Sequence, residues 1–116
     1  MSRWLVDGMN VVGSTPDGWW RDRRGAMRRL AQGLAAYASQ TGDQINVVFD
    51  GRGFELDAAP VGVAFAPNAD DEIERIVAED PDPAGITVVT SDRKLGERVR
   101  SHGASVFPSR SFREKL

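Results

Sequence analysis

Apolar residues along this chain gather into five short runs, and between the runs the pattern changes to a helical period. The runs are Trp4 to Val6, Ile45 to Phe49, Val61 to Phe65, Ile86 to Val89 and Ala104 to Phe107. Short apolar runs bounded by turn residues read as strands buried on both faces. After the first run, a helix fits from about Trp20 to Ser39. Met27, Leu30, Leu34, Tyr37 and Ala38 fall on one of its faces, and Arg21, Arg24 and Arg28 on another. Gly42 closes it as a left-handed cap. Asn68 caps a second helix that runs to about Glu79 and stops before Pro81 and Pro83. A third, basic helix spans Arg93 to His102, with Leu95 and Val99 facing inward and Gly103 closing it. Val11 to Gly18 and Gly51 to Pro60 read as loops, and Ser109 to Leu116 as a polar tail.

Strands alternating with helices predict an α/β fold: a three-layer α/β/α sandwich with a mostly parallel central sheet of about five strands. The third run follows the second too closely for a usual parallel crossover, so its direction stays open. No repeat, low-complexity tract or linker breaks the pattern, and residues 1–116 read as a single domain.

Composition narrows the function classes. Cysteine is absent, which removes disulfides, thiolate metal sites and cysteine nucleophiles. No run approaches the ~20 apolar residues of a membrane span. With the first strand starting almost at Met1, no signal peptide fits, and a cytoplasmic location is expected. The net charge of −2 gives no global basic signal, so any nucleic-acid contact must come from a local basic face.

The candidate chemistry lies in acids that follow the strands. Asp7 ends the first run, Asp50 the second, and Asp92 comes shortly after the fourth. Parallel strands put such residues at one edge of the sheet, the edge where open α/β folds bind ligands. Asp70 opens the helix after the third run, and Glu74 lies one turn further along. Crowded carboxylates raise one another's pKa, and a divalent cation relieves that cost. Oxygen-only donors suit a hard ion, Mg²⁺ or Mn²⁺, and one ion or a pair are both compatible with the pattern. Each acid alone also has a plain structural reading, as a turn residue, a helix cap or a solvated first turn. Asn10 is either a turn residue or an amide that orients a carboxylate or contacts a phosphate.

Four segments carry a family resemblance: Leu5 to Gly13 (LVDGMNVVG), Val47 to Gly51 (VVFDG), Asn68 to Arg75 (NADDEIER) and Val88 to Leu95 (VVTSDRKL). In this order they resemble the YacP-like branch of NYN domains, within the PIN-like metal-dependent ribonucleases. The resemblance implies a PIN-like fold, Mg²⁺ or Mn²⁺ in an acidic pocket, and an endoribonuclease that hydrolyses RNA. It implies metal-site roles for Asp7, Asp50, Asp70 and Asp92, and the family's polar position for Asn10. Its implied partners are RNA, single-stranded, and the ribosome.

Basic residues flank these acids. Arg52 sits beside Asp50, Arg93 and Lys94 open the last helix, and Arg24 and Arg28 stud the first one. They are either a solvated face or phosphate contacts. Trp19 and Trp20 either pack under the helix entry or stack on unpaired bases. His102, the only histidine, reads as a cap at a helix end. Two other classes compete: an RNA- or ribosome-binding module with a weak or dead site, and a phosphoacceptor receiver domain. The receiver pattern wants its acid at the end of the third strand and a lysine directly after the fifth; here Asp50 ends the second run and no lysine directly follows Phe107.

Overall fold

A computed structural model describes residues 2–116. Five parallel strands form one sheet: β1 (Arg3–Asp7), β2 (Gln44–Asp50), β3 (Gly62–Ala66), β4 (Ile86–Val89) and β5 (Ser105–Phe107). Their order is β3-β2-β1-β4-β5, so strand order reverses beside β1, the central strand. β1 pairs with β2 on one side and β4 on the other, with Asp7 level with Val48 and Val6 level with Val89. Every pair is parallel, which resolves the direction of β3.

Helices cover both faces. On one side lie α1 (Gly8–Val12), α2 (Arg23–Thr41) and α5 (Ser109–Arg113); on the other lie α3 (Ala69–Glu79) and α4 (Arg93–Ser101). Side chains alternate across a strand. Thus Trp4 and Val6 pack with Leu30, Leu34 and Phe112, whereas Leu5 packs with Ile73, Leu95 and Val99. β2 repeats the split, with Val47 and Phe49 on the α2 side and Val48 on the α3 side. The next residues in the second series are Asp7 and Asp50.

The sequence-based boundaries need three corrections. First, α2 starts at Arg23 and not Trp20, because the Asp22 carboxylate caps it by accepting from the Gly25 amide at 3.0 Å. Trp19–Arg21 is a separate 3-10 turn. Second, Gly8–Val12 is helical. Gly8 must be glycine, since a Cβ there would run into the Phe49 ring. Third, the polar tail contains α5, anchored by fully buried Phe112. Residues 51–60 form a loop without helix or strand, as the sequence predicts. Its Phe54, Leu56 and Ala58, with Val61 just after it, pack on the α2-side core where a crossover helix usually lies.

Candidate active site

Asp7, Asn10, Asp50, Asp70 and Asp92 line one open pocket of about 410 Å³, together with Met9, Pro67 and Asn68. Four chain segments build it. Asp7 and Asp50 come up from adjacent strands, on the face covered by α3 and α4. Asp70 stands in the first turn of α3, and Asp92 is the N-cap of α4. The amino ends of two helices therefore face the carboxyl edge of the sheet, and their partial positive charge offsets part of the acidic crowding.

Hydrogen bonds fix most of these groups. Asp7 is buried, and its Oδ2 accepts from the Thr90 hydroxyl at 2.9 Å. The same Thr90 oxygen accepts from the Asp92 amide at 3.1 Å, so one hydroxyl ties two of the acids together. Asp50 Oδ1 accepts from the Ala69 amide at 3.0 Å, and Asp92 Oδ1 from the Leu95 amide at 3.0 Å. Asn10 Oδ1 accepts from the Ser91 amide and from the Ser109 hydroxyl. With its oxygen taken by two donors, Asn10 keeps its NH₂ as a donor for the pocket.

Burial is the main reason the Asp7 carboxyl is pushed up to about 6 from an ordinary 3.8. The Thr90 hydrogen bond opposes the rise, and the charges of Asp70 and Asp50 add to it. The Asp70 carboxyl is also raised, by burial first and then by Asp92 and Asp50, against the pull of Arg98.

The remaining sequence candidates lie outside the pocket wall. Glu74 is a correction: its carboxylate turns to the neighbouring helix and accepts from Arg98 Nε at 2.5 Å, with His102 Nε2 at 3.0 Å. One helical turn sets Glu74 on the Asp70 face, but the α3–α4 contact claims it. Arg52 is exposed on the connection after β2. Arg93 is exposed and pairs with Glu97 at 3.5 Å, and Lys94 is exposed beside it. Arg24 and Arg28 lie over the Phe54 ring, 4.9 and 5.0 Å from its centroid. The two tryptophans divide: Trp19 packs against the core and Trp20 is exposed. His102 does cap α4.

Sequence reasoning passed over Thr90 and Ser109. A hydroxyl just after an apolar strand and two residues ahead of an acid was a visible signal for Thr90. Nothing local marks Ser109, which reaches Asn10 only through the tertiary fold.

The donors are suitable for a hard cation. The four carboxylates offer oxygen only, and one of them is buried at an energetic cost that a cation would offset. Among the described residues, no three acidic or histidine side chains form a group ready to hold an ion directly. Dispersed carboxylates around an open pocket fit an ion that keeps much of its water.

Fold and pocket together define a class: an all-parallel, two-faced α/β sheet with acids collected where strand order reverses. The model of the YacP-like NYN domain matches residues 4–116, and the chain belongs to that family, whose domains are generally ribonuclease-like. It is similar to two solved structures of Rae1 (YacP) from Bacillus subtilis. One, a tryptophan-to-leucine mutant, is 30% identical with a TM-score of 0.84, over 99% of this chain and 74% of that one. The other is 29% identical with a TM-score of 0.82, over 99% and 73%. No curated protein sequence matches the chain. Among the described residues no helix is long and apolar enough to cross a membrane.

Proposed function

We propose that this protein is a metal-dependent endoribonuclease that hydrolyses RNA phosphodiester bonds in the acidic pocket. The observation that carries the reading is the convergence of Asp7, Asp50, Asp70 and Asp92, from four segments, on one pocket at the sheet's switch point. Family membership supports the same chemistry.

Asp7, Asp50, Asp70 and Asp92 would hold Mg²⁺ or Mn²⁺, directly or through water. When bound, such an ion supplies an activated water and neutralises charge at the scissile phosphate. The chain's own groups do the rest. Thr90 holds the Asp7 carboxylate in place and spaces it from Asp92. The Asn10 NH₂ is a fixed donor at the pocket wall, suited to a non-bridging phosphate oxygen. Arg52, Arg93 and Lys94 lie near the pocket-forming residues in the chain and supply cations for the flanking phosphates. RNA is thus the proposed partner, with the ribosome as a setting in which it would be presented, and the cytoplasm as the location.

The test is cleavage of an end-labelled single-stranded RNA by the purified protein. Cleavage should require Mg²⁺ or Mn²⁺, stop with EDTA, and vanish in Asp7→Asn and Asp92→Asn variants that still fold. Equal turnover by wild type and both variants would refute the assignment.

A further inference from the structure

The first turns of α2 and the 3-10 turn before it carry a feature that the pocket chemistry does not use. Arg21, Arg23, Arg24, Arg28 and Arg29 crowd into this short stretch, and all are exposed. The arginines that make ion pairs among the described residues are Arg3, Arg75, Arg93, Arg98 and Arg113, and none of them belongs to this stretch. Its cations are therefore uncommitted, although the chain is net acidic. α2 runs back against the direction of the strands, so its amino end lies at the same sheet edge as the acidic pocket.

Aromatic rings are interleaved with these cations. Arg24 and Arg28 both ride on Phe54, four residues beyond Asp50, and Phe54 in turn rests on Phe65 with centroids 5.3 Å apart. A guanidinium stacked on a ring keeps its N–H edge free for phosphate. Arg23 sits over Trp19 at 5.6 Å. Trp19 is held by the core and meets Trp20 edge-to-face at 5.9 Å, which leaves Trp20 53% exposed. An exposed indole braced by an anchored one is a rigid apolar plate among unpaired arginines.

We infer that Trp20, with Arg21, Arg23, Arg24 and Arg28, forms a shelf at the same sheet edge as the pocket that holds single-stranded RNA: a base stacks on Trp20 and the arginines take the phosphates. The occupant is chosen by charge and shape. Uncommitted cations need a polyanion, and a free indole face needs an unpaired base, which a duplex keeps inside its stack. The inference rests on the nuclease reading only for the direction in which the strand leads, toward the acids.

The test is binding of a fluorescein-labelled 12-nucleotide single-stranded RNA in EDTA, followed by anisotropy, so that no cleavage is needed. Trp20→Ala should weaken binding about tenfold, the scale of one lost base stack, while Trp20→Phe keeps most of the affinity. A double substitution of Arg24→Gln and Arg28→Gln should lower the salt slope by about 1.4, at ~0.7 for each lost phosphate contact on a single strand. A duplex of the same length should show no dependence on Trp20. Equal binding by wild type and Trp20→Ala, or an equal loss on the duplex, would overturn the shelf. The two proposals fail separately. Cleavage with no Trp20 dependence of binding removes the shelf alone, and Trp20-dependent binding with no cleavage under any divalent cation removes the nuclease reading alone.

Discussion

Replacing Asp7 by Asn should make the protein more stable while removing its function. Asp7 is buried, and its carboxyl is raised from 3.8 to about 6. The fold therefore favours the neutral form. A raised carboxyl contributes stability that is complete below its unfolded value and is lost as pH climbs through its folded value. The loss should run between about pH 4 and pH 7. Each tenfold change in proton affinity is worth about 1.4 kcal/mol, so the full cost at neutral pH is on the order of 3 kcal/mol. Asn has the same shape and no charge, and its side-chain oxygen can still accept from Thr90. Recovery of even a third of the cost, about 1 kcal/mol, would raise the melting temperature by about 4–8 °C in a chain of this size. The assay is thermal or urea unfolding of both proteins from pH 4 to pH 8. The variant's advantage should be near zero at pH 4 and grow to a plateau above pH 7. Taking the difference between the two proteins cancels the other carboxylates, which titrate in both. Mn²⁺ should raise the melting temperature of the wild type much more than that of the variant. A variant no more stable than wild type at pH 8, or an advantage that ignores pH, would refute the reasoning.

Three further outcomes are expected. Thr90→Val removes the buried donor to Asp7 and should cost about 1–3 kcal/mol at pH 7, with the loss shrinking toward pH 4 in the same unfolding assay. Gly8→Ala drives a methyl into the Phe49 ring and should cost about 1–3 kcal/mol; Phe49→Leu in the Gly8→Ala background should restore part of it, measured by urea midpoint. Glu74→Ala should keep the Mn²⁺-induced thermal shift, because Glu74 serves Arg98 and His102, whereas Asp70→Ala should reduce it; a greater loss in Glu74→Ala would return Glu74 to the site.

Strands and long helices were legible because their signals are local. Ile86 to Val89 reads as a strand from its residues and is one, and Asn68 caps α3 as its side chain predicts. The address of the acids was legible for the same reason: once the strands are parallel, residues at their carboxyl ends meet. What stayed hidden depends on contacts between distant segments. α1 is too short for a period, and only its packing against Phe49 and Arg113 shows why it forms. The segment after Asp50 reads as a loop and is one, but the packing of Phe54, Leu56 and Ala58 against the core shows only in the tertiary fold. Glu74 has the right helical spacing for the pocket, and only the approach of α4 reveals the competing claim of Arg98. Trp19 and Trp20 are chemically identical neighbours, so no sequence pattern separates the anchored ring from the exposed one.

The central claim is that four carboxylates distant in sequence serve a divalent cation together. A crystal of the protein grown with Mn²⁺ and measured at the manganese absorption edge tests it most directly. The account predicts an anomalous peak in the pocket, within direct or water-bridged reach of Asp7, Asp50, Asp70 and Asp92. An empty pocket with Mn²⁺ bound elsewhere would contradict it.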